Sequence, residues 1–246
     1  MFTLADADPR ADLALRREIK YAYRQADIDR VRGVLETNCE RLVYAGRVST
    51  VRSIYFDDFR LSSAAANLDG VGRRRKLRLR WYDSLAPGRQ VFFEVKWRRH
   101  EVGGKQRFGL TCGPDVGDLT YDAIRQGLLA ALPEGPAELL RLYPEPTVLV
   151  EYRREHFAAP TVGSGQLRLT LDYDLRFYDQ GGRRRPTIDF GVPAHDLMVL
   201  EGKAPPGHER DLGALLHPLR PKATRCSKYV HGCRHLGLAV GAAAAG

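Results

Sequence analysis

The chain has 246 residues, of which 43% are hydrophobic, so it is long enough to bury the core of one large β domain. Its formal net charge of +9 indicates an anionic partner, such as a nucleic acid, a membrane surface or a phosphorylated metabolite. Residues 1–12 lack the apolar core of a signal peptide, and no apolar run approaches the roughly 20 residues that cross a bilayer. We therefore predict a cytoplasmic protein with a single domain over residues 13–238, an N-terminal tail over 1–12 and a disordered tail over 239–246.

Alternating polar and apolar residues recur along the chain, and this period of two is typical of β-strands. The turn residues Pro87 and Gly88 connect two of the alternating segments. In chain order, the alternation predicts strands over residues 16–21, 51–57, 76–82, 92–98, 147–156, 166–172 and 199–203.

Three helical stretches interrupt or follow the strands, since their apolar residues are spaced three or four apart. Asp27 is expected to cap the first helix, which ends near Asn38. The second stretch covers residues 118–132 and continues, after a Gly-Pro break, as a short helix over 137–143. The last helix is predicted over residues 227–238.

The polar faces of the predicted strands consist almost wholly of Arg, Lys and Glu, whereas a solvated sheet face usually carries mixed polar residues. Neighbours on one face, two residues apart, lie about 7 Å from each other. This spacing suits a groove in which cations bind phosphate oxygens while carboxylates orient the lysines or bind a metal. The Glu-x-Lys pattern occurs three times, at Glu18/Lys20, Glu94/Lys96 and Glu201/Lys203.

A solvated face of salt bridges is the alternative for any single Glu-x-Lys pair. Its repetition, together with Arg78, Arg80 and Arg168, favours the binding groove. The opposite faces carry bulky apolar residues, among them Trp81 and Trp97. The sheet is therefore predicted to close on itself, with the charged face lining a wet lumen and the apolar face packed outward against helices.

Two runs of three arginines, residues 73–75 and 183–185, are predicted to be solvated loops. The first run is also expected to draw polyanions toward the mouth of the lumen. Nucleic-acid binding is not favoured, because it prefers basic residues interleaved with exposed aromatics, and here the aromatics mostly fall on the apolar faces.

The four cysteines are Cys39, Cys112, Cys226 and Cys233. No pair has CxxC spacing, and no Cys/His cluster has the spacing of a zinc site. They are predicted to be free, mostly structural thiols in a reducing compartment.

Three aspartates lie in or beside the charged strand faces. Asp57 and Asp58 are adjacent in a strand and point to opposite faces, so a structural or turn role is predicted for them and not a paired metal site. Asp172 shares a face with Arg168, so it is expected either to support the ligand site by orienting Arg168 or to form a structural ion pair.

Eight short motifs occur in a fixed order along nearly the whole chain. They are Glu18-Ile19-Lys20, Tyr55-Phe56-Asp57, Lys76-Leu77-Arg78-Leu79-Arg80-Trp81-Tyr82, Phe93-Glu94-Val95-Lys96, Tyr152-Arg153-Arg154, Arg168-Leu169-Thr170-Leu171-Asp172, Leu200-Glu201-Gly202-Lys203 and Ser227-Lys228-Tyr229. In this order they resemble the VTC domain, the polyphosphate polymerase branch of the triphosphate tunnel metalloenzymes, which also include the CYTH phosphatases. The resemblance implies a fold of the α+β class, an eight-stranded antiparallel β-barrel that forms a triphosphate tunnel with helices packed outside.

The resemblance also implies an activity and a set of site residues. VTC enzymes are metal-dependent phosphotransferases, with Mn²⁺ or Mg²⁺, that add the terminal phosphate of ATP to a growing polyphosphate chain. The catalytic residues expected to contact the phosphates are Arg78, Arg80, Lys96, Arg154 and Arg168. Substrate binding is expected of Lys20, Lys105, Tyr152, Lys203, Ser227 and Lys228. Metal binding is expected of Glu201, Glu18 and Glu94.

Two positions depart from the family pattern. Arg16 stands where the phosphohydrolases carry the first glutamate of a Glu-x-Glu-x-Lys motif, which favours the VTC branch. Gly202 interrupts the strand at Glu201 and Lys203, so a bulge is expected there.

Two other activities remain open for the same site. It is also suited to hydrolysis of tripolyphosphate or nucleoside triphosphates, or to non-catalytic sensing of polyphosphate or inositol polyphosphates. The expected partners are ATP and polyphosphate and not nucleic acid. The sequence leaves open a membrane protein partner and the oligomeric state.

Overall fold

The computed structural model describes residues 1–5, 17–100, 102–163 and 165–240. Arg16 lies outside the described residues. The same holds for the segment 241–246, for which disorder is predicted above. The described strands are β1 Phe2–Leu4, β2 Arg17–Tyr23, β3 Glu40–Leu42, β4 Ser49–Asp57, β5 Arg73–Tyr82, β6 Gln90–Arg99, β7 Val102–Cys112, β8 Glu145–Pro160, β9 Gln166–Asp179, β10 Val192–Pro193 and β11 Met198–Ala204. The described helices are α1 Ile28–Asn38, α2 Ser62–Leu68, α3 Tyr121–Ala131, α4 Glu134–Leu142, α5 Glu209–Leu216 and α6 Lys228–His235.

The strands form one antiparallel sheet in the order β1-β7-β6-β5-β4-β8-β9-β11-β2, with β10 beside β9 and β3 beside β8. The α+β class is confirmed, but the expected eight-stranded closed barrel is wrong. Three short strands (β1, β3 and β10) accompany the eight long ones. No backbone pairing joins the two ends of the strand order within the described ranges, so the sheet stays open.

The open sheet is nevertheless strongly curved. Lys96 on β6 donates a hydrogen bond to Glu18 on β2, with 2.8 Å between Nζ and Oε1, although five strands separate β6 from β2 in the sheet. Side chains of β6 and β2 therefore meet across the concave face. Sequence alternation identifies the two faces of each strand but not whether the sheet edges meet, which is why closure was not predictable.

Four helices pack on the convex face, as expected. Helices α3 and α4 cover β4 to β7, where Trp81 and Phe93 pack with Ile124 in one buried cluster. Helices α1 and α5 cover β2, β8, β9 and β11, with Leu35 and Leu212 in a second cluster. Each fully buried large apolar side chain contributes about 1.5–3 kcal/mol.

Helix α6 departs from that expectation, because it lies on the concave side. The rings of Tyr229 and Tyr55 stack with centroids 4.8 Å apart and an angle of 7° between their planes. The Tyr229 hydroxyl donates to Asp57, which also accepts from the backbone amides of Ser63 and Ala64 in α2. Asp57 thus joins β4, α2 and α6, and its predicted structural role is confirmed.

The predicted helices are found with small changes at their ends. Asp27 occupies the N-cap position of α1 but its side chain makes no capping hydrogen bond there, whereas Thr120 and Ser227 do cap α3 and α6. The four cysteines are free, as predicted. Within the described ranges, no helix is long and apolar enough to cross a membrane.

Strand β7 was missed by the sequence analysis because its Gly103-Gly104 pair is typical of a turn. Gly104 is required for a steric reason, because a Cβ at this position would lie 2.5 Å from the Trp97 ring. Trp97 of β6 thus lies flat against the neighbouring strand. The arginine run 73–75, expected in a loop, is the first part of β5.

The expected bulge at Gly202 is absent. Gly202 pairs with Ile19 on one side and Leu169 on the other, in unbroken register with its neighbours. A Cβ at this position would lie 2.7 Å from the Leu212 side chain of α5. Glycine is therefore present because α5 packs closely against β11.

We predict that Gly202→Ala lowers the free energy of unfolding by about 1–3 kcal/mol, because the added methyl group overpacks the Leu212 contact. Urea denaturation of the two proteins measures the difference. Gly213→Ala is the control, since Gly213 lies in α5 and a Cβ added there would meet no atom within 4 Å. That substitution should stabilise the helix by about 0.5–1 kcal/mol. Equal stability of Gly202→Ala and wild type would contradict the steric explanation.

Candidate functional site

Three lysines form a row across the concave face. Lys96 on β6 lies opposite Lys76 on β5 and opposite Lys105 on β7. Like charges directly opposite each other in a sheet are destabilising. The row therefore costs stability, and it is the strongest indication that this face binds an anion.

Glu94 lies next to the lysine row and is 1% exposed. Its carboxylate oxygens lie 2.5 Å from Arg78, 3.7 Å from Arg80, 3.5 Å from Lys105 and 3.5 Å from Arg107. Burial by itself raises the pKa of Glu94, but these cations hold the pKa well below its usual range. Glu94 therefore fixes four cations in place, and its expected role as a metal ligand stays a prediction.

Arg78 and Arg80 are also held by hydroxyl groups. The Arg78 guanidinium donates to Tyr55 Oη at 3.0 Å, and Arg80 donates to Ser53 Oγ at 2.9 Å and to Tyr152 Oη at 3.2 Å. Burial raises the pKa of Tyr55, but the two guanidinium groups reverse this and lower it. Both arginines are thus pre-positioned before any ligand is present.

The wall formed by β8 and β9 carries a second fixed ion pair. Arg154 donates to both oxygens of Asp172, at 2.6 and 2.8 Å, and Lys228 at the start of α6 donates to Asp172 at 2.6 Å. Of the two roles expected for Asp172, the structure shows an ion pair, but its partners are Arg154 and Lys228 and not Arg168. The guanidinium Nε of Arg168 is buried and has no hydrogen-bond partner within the described ranges.

The Glu-x-Lys pairs of β2 and β11 lie side by side. Lys20 is opposite Glu201 and Glu18 is opposite Lys203 in the strand register. Lys20 Nζ lies 3.2 Å from Glu18 and 3.4 Å from Glu201, and Lys203 lies 3.1 Å from Glu201. Opposite charges facing each other support the sheet.

Both carboxylates of this network are ionised at neutral pH. Burial and the charge of Glu201 raise the pKa of Glu18, but Lys20 and Lys96 bring it down to about 2. Burial likewise raises the pKa of Glu201, while Lys20 and Lys203 hold it well below its usual range. Glu18 and Glu201 are therefore available as charged oxygen ligands.

A divalent metal fits Glu18 and Glu201 better than it fits Glu94. Mg²⁺ is usually bound through one or two carboxylates together with substrate phosphates, and Mn²⁺ has similar oxygen preferences. Within the described ranges, no group of three or more His, Cys, Asp or Glu side chains converges as a complete metal site. The pair fits an ion that shares its ligands with phosphate.

Two cations of the site were not assigned from the sequence. Lys76 makes no salt bridge in the part of the chain that the structure describes, and burial together with Lys20 and Lys96 lowers its pKa well below the usual value. Arg107 contacts Glu94 from β7. The alternation that identified Arg78 also includes Lys76, whereas Arg107 was missed because β7 was missed.

The remaining predicted residues lie beside these groups. The Tyr152 ring is contacted by Arg154 and by Lys228, whose Nζ is 4.8 Å from the ring centroid. Ser227 Oγ accepts a hydrogen bond from the Val230 amide, so it caps α6. The structure thus brings all predicted site residues to one face, with Ser227 in a supporting position.

The domain belongs to the α+β class. It is a curved antiparallel sheet with helices on its convex face, and its concave face carries both ion-paired and unpaired cations. A family model of the VTC domain matches residues 15–236. The chain therefore belongs to the VTC domain family, and the resemblance found in the sequence is confirmed.

Comparison with solved structures gives a more distant likeness. The chain is similar to a protein from Hippeastrum described as an adenylyl cyclase with a dominant triphosphatase activity, at 16% sequence identity and a TM-score of 0.47. The match covers 89% of this chain and 95% of that chain. No curated protein sequence matches the chain significantly.

We predict that Asp172→Asn flattens the loss of stability in acid. Burial raises the pKa of Asp172, but Arg154 and Lys228 lower it from 3.8 to about 2. Because the folded pKa lies below the unfolded one, this carboxylate stabilises the fold by about 2 kcal/mol above pH 4, and the contribution disappears as the pH falls toward 2. Urea denaturation at a series of pH values measures the effect.

The control for this prediction is Asp122→Asn on α3, an exposed carboxylate that pairs with Arg125. This variant should lose stability in acid as steeply as wild type, because exposed ion pairs contribute little to the free energy of unfolding. An Asp172→Asn variant that loses stability between pH 4 and 2 as steeply as wild type would show that Asp172 is not the group responsible.

Proposed function

We propose that this domain is a metal-dependent polyphosphate polymerase, which transfers the terminal phosphate of ATP to a growing polyphosphate chain. The observation that carries the proposal is the excess of cations on the concave face, above all the row of three facing lysines. Such a surface is neutralised by a polyanion with closely spaced charges. The cations are Lys20, Lys76, Arg78, Arg80, Lys96, Lys105, Arg107, Arg154, Arg168, Lys203 and Lys228, and they share the face with four ion-paired carboxylates, Glu18, Glu94, Asp172 and Glu201.

The arginines supply fixed donors for the phosphate oxygens. Arg78 and Arg80 are held by Glu94 and by hydroxyl groups, so they need little rearrangement when a triphosphate binds. Donors that are already oriented stabilise the charge that spreads over the phosphoryl oxygens in the transition state. Arg154 is held in the same way by Asp172.

The lysines supply mobile charge. Lys20 and Lys96 both contact Glu18, and each can turn from the carboxylate toward a phosphate oxygen while remaining close to it. Lys76 has no such competing partner among the described residues and is free to bind phosphate directly. Together these side chains can follow an anionic chain along the face.

Glu18 and Glu201 would hold the divalent ion. The ion would neutralise charge on phosphate oxygens, which is its usual contribution to phosphoryl transfer. Glu94 and Asp172 are engaged with cations and serve to position them.

In the proposed reaction, a terminal oxygen of the polyphosphate chain forms a bond to the γ-phosphorus of ATP, and the bond from that phosphorus to the β–γ bridging oxygen breaks. ADP leaves, and the chain is one phosphate longer. The attacking oxygen is already largely deprotonated at neutral pH, so the transfer needs no general base.

The ionisation of the carboxylates supports transfer of the phosphoryl group to a phosphate chain over its transfer to water. A water nucleophile benefits from a general base whose pKa lies near the working pH. Cations hold the pKa values of Glu18, Glu94, Asp172 and Glu201 below their usual range. None of the four is therefore suited to accept a proton from water at neutral pH.

We predict that the purified protein makes polyphosphate from ATP and Mn²⁺, and that Arg78→Ala lowers the rate by about a hundredfold because it removes a fixed donor. Polyphosphate and free phosphate are quantified separately. Arg125→Ala, which removes a partly exposed arginine on α3, should retain full activity. Glu201→Ala should abolish turnover with the metal.

Each other outcome points to a different function. Free phosphate without polyphosphate would identify a triphosphatase. Tight polyphosphate binding without turnover in the presence of Mn²⁺ would identify a sensor. Full activity of both Arg78→Ala and Glu201→Ala would show that the concave face is not the site.

A further inference from the structure

Two polar side chains of β9 lie on the concave face beside Glu201 without a hydrogen-bond partner. The hydroxyl oxygen of Thr170 and the guanidinium Nε of Arg168 are buried, and neither has a partner in the part of the chain that the structure describes. The two residues are two positions apart on β9 and therefore share a face. A buried polar atom without a partner costs free energy, so this pair indicates that a ligand completes the site.

Thr170 is the direct neighbour of Glu201 in the sheet. The register of β9 and β11 places the two residues opposite each other. Residues in this relation have Cβ atoms about 4.5–5.5 Å apart. On its other side Thr170 lies opposite His156 of β8, which makes no hydrogen bond to the Thr170 hydroxyl. Thr170 Oγ1 can therefore share a ligand with the Glu201 carboxylate.

The ion pairs of Glu201 are looser than the ion pair between Lys228 and Asp172. The Glu201 oxygens lie 3.4 Å from Lys20 Nζ and 3.1 Å from Lys203 Nζ. Lys228 Nζ lies only 2.6 Å from Asp172. A charge-assisted hydrogen bond between nitrogen and oxygen is usually about 2.7–2.9 Å long. Lys20 and Lys203 can thus turn from Glu201 toward phosphate oxygens, which leaves the carboxylate to a metal ion.

A threonine hydroxyl is a suitable further ligand for Mg²⁺ or Mn²⁺, because both ions prefer oxygen. In P-loop nucleoside triphosphatases, a Ser or Thr hydroxyl and an Asp carboxylate hold Mg²⁺ beside the phosphates. Among the described residues, no three His, Cys, Asp or Glu side chains converge on a possible metal position. The hydroxyl of Thr170 supplies an oxygen that such a group lacks, and it adds no negative charge that would repel a triphosphate.

We propose that Thr170 Oγ1 is a ligand of the divalent ion that Glu201 binds, together with phosphate oxygens of the substrate. This inference rests on the proposed function and deepens it, because it adds a residue to the metal site. Arg168 is a cation and is not a metal ligand, so its unpartnered Nε is assigned to a phosphate oxygen.

The test replaces Thr170 by valine, which has a similar shape and lacks the hydroxyl, and by serine, which retains it. Titration calorimetry measures the affinity for the β,γ-imido analogue of ATP, which is not cleaved, once with Mn²⁺ and once with EDTA. Thr170→Val should lower the affinity measured with Mn²⁺ about tenfold. It should leave the affinity measured with EDTA as in wild type, and Thr170→Ser should resemble wild type under both conditions.

The stability of the metal-free protein gives an independent readout. Because the Thr170 hydroxyl is buried without a partner, Thr170→Val should shift the midpoint of urea denaturation to a higher concentration. Mn²⁺ and the ATP analogue together should then stabilise wild type more than they stabilise this variant. Thr50→Val is the matched control for affinity, since Thr50 lies in β4 on the convex face, and it should leave both affinities unchanged.

Three results would overturn the inference while leaving the proposed function intact. The first is equal affinity of wild type and Thr170→Val in the presence of Mn²⁺. The second is an equal loss with Mn²⁺ and with EDTA, which would show that the hydroxyl binds phosphate and not the metal. The third is a metal-free Thr170→Val protein that is less stable than wild type, because the hydroxyl would then have a partner within the fold. Failure of wild type to bind the analogue under either condition would refute the proposed function itself.

Discussion

Fixed negative charge beside buried guanidinium groups is the interaction on which the concave face depends. Removing an ion from water costs several kcal/mol, and a buried cation is tolerated only when an opposite charge or a hydrogen-bond acceptor lies beside it. Glu94 meets this need for Arg78 and Arg80, and Asp172 meets it for Arg154 and Lys228. Without these two carboxylates, the arginines on the concave face would have no counter-charge to hold their side chains in a defined orientation.

The same constraint explains how the face is divided. Part of it carries charge, and part is apolar and covered by α6, where Tyr229 stacks on Tyr55. Tyr55 belongs to both parts, since its ring faces Tyr229 and its hydroxyl accepts from Arg78. Lys228 and Tyr229 are adjacent at the start of α6, so the helix that packs on the apolar part also delivers a cation to Asp172. Packing and charge placement are therefore coupled through a single helix.

Sequence alternation predicted the composition of the site well, because every second residue along a strand points to the same face of the sheet. It placed Arg78, Arg80 and Glu201 on one surface without knowledge of any neighbour. It could not identify the partner of Asp172, since that depends on how β8 and β9 pair, and their register shifts at a bulge between Glu151 and Arg153. The side of the sheet on which α6 packs was likewise not encoded in its helical pattern.

The missed features share a physical cause, which is contact between elements distant in the chain. The glycine pair beside Lys105 indicates a turn when read locally, yet Gly104 is small because Trp97 lies on it. Gly202 indicates a bulge when read locally, yet the register is unbroken and Leu212 occupies the space of its missing side chain. In both strands the local propensity of glycine is overridden by the need for close approach.

The distribution of charge that remains unpaired follows from the same reasoning. Facing lysines and facing arginines make the folded protein less stable than neutral pairs would. A bound anion compensates for this loss of stability, because a ligand that binds only the folded state stabilises it. Among the described residues of β5 and β6, Lys76 on the concave face and Arg74 and Arg98, two residues beyond the facing lysines on the same face, form no salt bridge. They lie in one line along β5 and β6, whereas the carboxylates are concentrated beside Arg78 and across the face on β2, β9 and β11. Because this line spans about 7 Å along the strands, an anion with several spaced charges neutralises it more completely than an anion with a single charged group.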